Sequence, residues 1–364
     1  MSKLISTERP GGFLDFLPVE CLARERILDA IKGVFRSYGF DPIETPIVEF
    51  TDVLAGEESD TGKNIFSVVN GNDDKKLSLR FDHTVPFARL LAANPYDAVK
   101  KTGLRLPFRR MAVGPIFRGE KAQAGRYRQF YQFDADIAGT ESMMADAEII
   151  VMMFRTLKAL GIENFIINLN NRKILNGLSE LVGIDDREGI LAEDQTKEMM
   201  RVLDKLDKIG IEAVSEELMR KPESSSDPAV GLSPEGVGKI KDFIGISGSN
   251  LEKIAKAEDI FGGVAIAEEG IAELKRILEL VSALVPDENI SINFSIARGL
   301  DYYTGPVMET YLPDAPSFGS VFSGGRYNGL VKRFTGKDLP AVGASIGVDR
   351  LFAALEHLGK LDKS

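Results

Sequence analysis

The residues best suited to chemistry in this chain are arginines set among glycines and aromatic rings. In "FRGEKAQAGRYRQF", Arg118 closes one alternating stretch, Arg128 lies on the next and Arg126 sits at the loop exit, so their guanidinium groups can converge on one face. A guanidinium keeps its charge at any working pH and grips phosphate oxygens through a planar fork. Phe130, beside them, is placed to stack on a base. For any one of these arginines alone, a charged sheet surface with ion pairs is the simpler reading; two further stretches shift the balance toward an anionic ligand. "SIARGLDYYTGPVMETY" sets Arg298 and Asp301 beside Tyr302 and Tyr303. A structural ion pair with core tyrosines is the alternative there, yet a buried ion pair is rarely a net gain in stability. Arg350, in "GVDRLFAAL", falls in the first turn of a helix, where its charge opposes the macrodipole and an anionic ligand explains it better. The paired glycines of "SGGRYNGL" admit a close approach to the backbone, although a plain turn accounts for them nearly as well.

Neither a P-loop nor a dinucleotide-binding glycine fingerprint is present, so a nucleotide would be held by side chains. A formal charge of −10 argues against a broad nucleic-acid surface. Locally the balance reverses: Lys100, Lys101, Arg105, Arg109, Arg110, Arg118, Lys121, Arg126 and Arg128 make one basic region. The apolar runs are shorter than a membrane span and "MSKLISTERPGG" has no signal-peptide core, which predicts a cytosolic protein without membrane contact. The single cysteine, Cys21, followed by "LARERILDA", reads as helix-face packing, and with only His83 and His357 it builds no disulfide and no metal site.

The elements that must position these arginines follow from pattern. "LPVECLARERILDAIKGVFRSYG" reads as a helix opened by Pro18 and ended by Gly39. Pro42 and Pro46 make "FDPIETPIVEF" an extended edge or dimer-lining segment. A strand runs into a helix at Thr84. The stretches "RRMAVGPIFRGE" and "GRYRQFYQFDADIAG" alternate as an antiparallel hairpin, and a helix over 141–160 and the strand "NFIINLN" follow. Residues 173–286 turn rich in Lys, Glu, Leu and Ile at helical spacing, which predicts a helical insertion between a first part of the core, 1–172, and a second, 287–364. β structure resumes at "ISINFSI", and the chain closes with a strand passing into a helix. No internal repeat is visible. This order predicts an α+β fold built on an antiparallel sheet flanked by helices.

Taken together, these residues closely resemble the histidyl-tRNA synthetase family over essentially the whole chain. "YGFDPIETPIVE", "FRGE" with "GRYRQFYQFDADIAG", and "GASIGVDRL" resemble the three class II aminoacyl-tRNA synthetase motifs. "ARGLDYYTG" and "SGGRYNGLV" resemble the two signatures peculiar to the histidine enzymes, and "LRFDHTVPFAR" and "NNRKILNGL" resemble their eukaryote-like branch. The resemblance implies a class II catalytic fold, a homodimer joined through motif 1, and the substrates ATP, L-histidine and the acceptor end of tRNA(His). It implies that Arg298 contacts the ATP α-phosphate and the histidine carboxylate in the place other class II enzymes give to a metal. Arg118 would bind the α-phosphate, Glu120 face the adenine side, Phe130 stack on adenine, and Arg126 and Arg350 hold the outer phosphates, bridged by Mg²⁺. Asp82, Thr84 and Gln132 would receive the α-amino group, and Asp136 and Tyr303 would read the imidazole, with Tyr302 also in the histidine-binding set. Arg298 and Arg118 are thereby the expected catalytic pair.

Members of this family continue past motif 3 into an anticodon-binding domain, whereas these 364 residues end at "EHLGKLDKS". The chain reads as a catalytic core from a longer enzyme or as a paralogue. Histidine activation is expected to survive and tRNA charging to be weakened. The alternative is the histidine-sensing regulatory subunit of ATP phosphoribosyltransferase, which shares the shortened form but usually loses part of the ATP-binding arginine set. Retention of Arg118, Arg126, Arg298 and Arg350 favours the ligase. A third reading is a paralogue that adenylates histidine for another acceptor.

Overall fold

Along "QFYQFDADIA", the buried apolar Phe133, Ala135 and Ile137 alternate with the polar Gln132, Asp134 and Asp136, and this alternation sets the architecture. The computed structural model describes residues 5–55, 64–69, 75–120, 126–186, 191–224, 227, 229–297 and 303–362. In chain order the elements are α1 (Pro18–Ser37), β1 (Asp41–Pro42), β2 (Val48–Phe50), α2 (Thr51–Ala55), β3 (Ser67–Val68), β4 (Leu77–Leu79), α3 (Thr84–Ala93), β5 (Phe108–Phe117), β6 (Gln129–Ala138), α4 (Met143–Ala159) and β7 (Ile166–Asn171). Helices α5 (Arg172–Leu181), α6 (Ala192–Leu203), α7 (Leu206–Met219), α8 (Pro234–Ile244), α9 (Asn250–Ile260) and α10 (Ala265–Val281) come next. The chain then returns through β8 (Ile290–Ile292), β9 (Pro306–Tyr311), β10 (Phe322–Tyr327), α11 (Lys332–Thr335), β11 (Ala341–Gly347) and α12 (Val348–His357).

The strands form an eight-stranded sheet in the order β1-β5-β6-β11-β10-β9-β7-β8 and a small sheet β2-β4-β3. Every pairing from β5 through to β7 is antiparallel, and only the short edge strands β1 and β8 join in parallel. One face of the large sheet is packed: Phe133, Ala135 and Ile137 of β6 share a continuous apolar core with Ile31 and Phe35 of α1, Ile149 and Met153 of α4 and Leu351 of α12. The Phe35 and Phe133 rings meet edge to face at 4.9 Å. α10 lies on this core with α4, α5 and β7, through Leu274 and Ile277. The opposite face of the sheet is polar, as expected for an antiparallel sheet with one face on the core. α3 and α11 cover its end near β5 through a smaller core containing Phe87, Leu91 and Val331.

The expected elements recur. α1 begins at Pro18, α3 begins at Thr84, β5 and β6 pair in antiparallel register from Phe108↔Ala138 to Phe117↔Gln129, and β11 runs straight into α12. The proline-containing segment is a short edge strand, β1, followed by β2 of the small sheet. Between β7 and β8 the described elements are helices α5 to α10 and a short 3-10 turn, with α7 broken at Gly210.

Candidate active site

Register brings the polar face into one cleft. Gln132, Asp134 and Asp136 alternate along β6 opposite Gly114, Ala112 and Arg110 of β5, and Ser345 and Gly343 of β11 pair with Asp134 and Asp136. Ser323, Gly325 and Tyr327 of β10 continue the same row beyond β11. Two glycines make the floor possible. A Cβ on Gly343 would lie 2.0 Å from Asp136 Oδ1, and one on Gly325 would lie 2.9 Å from the Tyr303 ring. The segment before α3 closes one side, where Asp82 accepts the Val85 N–H at 3.0 Å and so caps the helix with a buried carboxylate.

The cleft has two adjoining parts. The deeper cavity, about 390 Å³, is lined by Asp82, Thr84, Gln132, Asp134, Asp136, Tyr303 and Tyr327 and reaches Arg118 and Arg350 at its mouth. The shallower one, about 110 Å³, is walled by Arg118, Glu120, Arg126, Phe130 and Arg350. The Arg118 guanidinium carbon lies 5.4 Å from the Phe130 ring centroid, and its Nε donates to the Phe81 carbonyl at 3.1 Å. Neither Arg118 nor Arg126 makes a salt bridge among the described residues. Arg350 donates to the Ser320 carbonyl at 2.6 Å from the first turn of α12. Its neighbour Asp349 points the other way, accepting the Tyr131 N–H at 2.7 Å and pairing with Arg24 at 3.3 Å, which ties α12 to β6 and α1.

The deep floor is rich in acceptors. The Gln132 amide nitrogen donates to Ser345 Oγ, which donates to Asp134 Oδ1 at 2.5 Å, and Gln132 Oε1 is buried without a hydrogen-bond partner among the described residues. Tyr327 donates to Asp136 Oδ1 at 2.5 Å, and Asp136 Oδ2, 2.6 Å from the Arg110 guanidinium, is buried without an aligned hydrogen bond among the described residues. Burial pushes the carboxyls of Asp82 and Asp136 up to about 6, and it raises Asp134 against the pull of Arg110. His83, buried beside Arg80 and Arg110, is pushed down to about 3 and stays neutral. Such a floor suits a small ligand that brings its own N–H groups. The shallow part offers guanidinium groups and one aromatic face, which fit phosphates and a base. No three His, Cys, Asp or Glu side chains converge as a metal site among the described residues.

Of the residues singled out from sequence, Arg118, Glu120, Arg126, Phe130 and Arg350 meet in the shallow part and Asp82, Thr84, Gln132, Asp136 and Tyr303 in the deep part. Arg298, Asp301 and Tyr302 lie outside the described residues, as does Lys121. Arg128 is a correction. Its guanidinium turns out of the cleft to the Gly11 and Glu120 carbonyls, because its backbone pairs with Gly12 ahead of the strand proper. The basic region between Lys100 and Arg128 is likewise dispersed: Arg109 pairs with Glu148, Arg105 with Tyr96, and Arg110 is fully buried against Asp136 on the cleft side. Sequence reasoning missed Asp134, Tyr327, Ser345 and Glu309 as cleft residues. Period-two alternation would have found Asp134, which stands between Gln132 and Asp136.

An antiparallel sheet with one face backed by helices and a cleft on its open face walled by Arg118, Arg126 and Arg350 is the catalytic fold of a class II aminoacyl-tRNA synthetase. The comparisons with known proteins are specific. The family described as histidyl-tRNA synthetase matches residues 12–351. A histidine–tRNA ligase of Wolinella succinogenes is 43% identical over 99% of this chain and 77% of its own length. The crystal structure of histidyl-tRNA synthetase from Nostoc sp. PCC 7120 superposes with a TM-score of 0.82 at 35% identity, covering 99% of this chain and 77% of that one. An ATP phosphoribosyltransferase regulatory subunit/histidyl-tRNA synthetase from Bacillus halodurans C shares the fold, with a TM-score of 0.79 at 23% identity over 97% of this chain and 84% of its own. The chain belongs to the histidyl-tRNA synthetase family.

Proposed function

We propose that the chain activates L-histidine with ATP and passes the histidyl group to the 3′ end of tRNA(His). The observation that carries this reading is an acceptor-rich floor opening directly into an arginine-walled cleft with an aromatic face. The histidine carboxylate attacks the α-phosphorus of ATP, forming the mixed anhydride histidyl-adenylate and releasing pyrophosphate. A ribose hydroxyl of the tRNA end then attacks the carbonyl and releases AMP. Two anions meet in the first step, so positioned cations are the main requirement.

Arg118 and Arg298 stabilise charge on the α-phosphate, with Arg298 also drawing the histidine carboxylate toward it. Arg126 and Arg350 hold the outer phosphates, Glu120 lies on the adenine side and Phe130 stacks on adenine. Mg²⁺ arriving with the triphosphate would supply further neutralisation of charge on the outer phosphates that Arg126 and Arg350 hold. Asp82, Thr84 and Gln132 Oε1 receive the α-ammonium group, Asp136 Oδ2 accepts the imidazole N–H, and the Tyr303 hydroxyl donates to the other nitrogen, with Tyr302 nearby in sequence.

The active species is a homodimer. Ile47, Val48 and Phe50 of the motif 1 segment and Val113 of β5 are exposed at 37–45%, an apolar edge that a second copy would cover. Its substrates assign the protein to the cytoplasm, and no described helix is long and apolar enough to cross a membrane. Residues 173–286 act as the insertion beside the cleft, and these 364 residues charge tRNA less well than the same residues joined to an anticodon-binding domain, because remote contacts help hold the acceptor end.

Histidine-dependent ATP–pyrophosphate exchange tests the reading. Exchange with histidine and with no other amino acid is expected. Histidine binding without exchange would replace it with the regulatory role.

A further inference from the structure

Arg110 faces the ligand side of the sheet yet has no solvent exposure. Its register partner on β6 is Asp136, and its Nη2 lies 2.6 Å from Asp136 Oδ2 and 3.7 Å from Asp134 Oδ2. The guanidinium carbon rests 4.6 Å from the Phe87 ring centroid, and Nε and Nη1 are buried with no hydrogen-bond partner among the described residues. As a device for stability this is poor, since a buried pair with unused donors is matched or bettered by apolar groups of the same shape.

The geometry at Asp136 supplies another reason. Tyr327 occupies Oδ1, while Arg110 sits beside Oδ2 with Nη2 aligned on the His83 carbonyl at 3.4 Å. Oδ2 therefore feels a full positive charge without an aligned hydrogen bond among the described residues, and Asp136 lines the cavity. Asp134, the second carboxylate near Arg110, is engaged by Ser345.

We propose that Arg110 is a specificity-determining positioning residue, which holds the Asp136 carboxylate as an oriented anion whose Oδ2 is reserved for the imidazole N–H of bound histidine. The inference rests on the histidine-site reading above. An amino acid without that N–H leaves a buried anion unsatisfied and is rejected.

The test is calorimetric titration of the intact chain with L-histidine and separately with ATP, for the parent, Arg110→Met, Arg110→Lys, Asp136→Asn and the two double variants. Arg110→Met should weaken histidine binding by about tenfold or more while ATP affinity changes less than about twofold. Arg110→Lys should recover part of the loss. With Asp136→Asn already present, neither change at 110 should weaken binding further, because Arg110 acts through Asp136. If Arg110→Met does not fold, the Arg110→Lys and Asp136→Asn cycle carries the same test. Additive losses, equal losses for histidine and ATP, or parent-like histidine binding by Arg110→Met overturn the proposal. Pyrophosphate exchange by the parent separates the two claims: a parent that binds histidine without exchanging sinks the ligase reading and leaves the Arg110 cycle decisive, and a parent that binds no histidine overturns both.

Discussion

The two parts of the cleft use the same side chain in opposite ways. In the shallow part, Arg118 and Arg126 face the opening without salt bridges among the described residues, so their charge is available to a ligand. Beneath and beside the deep part, Arg110 and Arg326 are buried against Asp136 and Asp146, and their charge is spent within the protein. Arg326 fixes the start of α4 through the Asp146 carboxylate and the Thr140 and Ser142 carbonyls. Arginine identity alone therefore says little. What distinguishes a ligand-binding arginine from a structural one is whether a carboxylate already meets it.

The largest effect that could break this comparison is on stability. Arg326→Met leaves Asp146 buried without its partner and should destabilise the fold by about 3–5 kcal/mol in urea denaturation, while Arg126→Ala leaves the midpoint unchanged. Equal stability of the two variants would erase the distinction. Next in size, Arg118→Ala and Arg298→Ala should each lower the kcat of pyrophosphate exchange by about a hundredfold or more, with thermal melting as in the parent, because the charges they meet develop in the transition state.

A pH series sharpens the contrast further. Asp82 and Asp136 have folded values near 6, above the ordinary carboxyl value of about 3.9. Below both values neither state is charged and nothing is lost. As pH rises from about 4 to 6 the unfolded chain ionises first, so the unliganded protein loses stability across that window. Histidine presents N–H groups to the ionised carboxylates, so the melting-temperature gain from saturating histidine should grow across it, and Asp82→Asn should flatten the growth. A gain from ATP that rises equally would place the carboxylates elsewhere.

Smaller still, Phe130→Ala should raise the KM for ATP several-fold and leave that for histidine unchanged, since stacking is worth about 1–3 kcal/mol per base. Arg128→Ala, whose side chain donates to the exposed Glu120 and Gly11 carbonyls, should change neither by more than about twofold. A large loss of exchange there would return Arg128 to the cleft.

Much of this was legible in the residues themselves. Pro18 and Gly39 bracket α1 because one suits a first helical turn and the other adopts positive φ, at 75°. The alternation of "QFYQFDADIA" named β6, and with it the common face of Phe130, Gln132 and Asp136. Arg350 could be placed because the strand-to-helix junction "GASIGVDRL" fixes it in a first turn.

What lay beyond the sequence is the pairing of charges across strands. Arg109 and Arg110 are adjacent and alike in type, yet one reaches Glu148 on α4 and the other goes under the ligand floor, because neighbours on a strand point to opposite faces. Which face was which depended on the β5–β6 register and on the helices that cover one side. The sequence by itself determined the elements, the family and the residues that carry charge into the cleft, since those follow from local periodicity and side-chain chemistry. Only the tertiary structure decided which of those charges remain for a ligand, because an ion pair depends on distances between residues far apart in the chain.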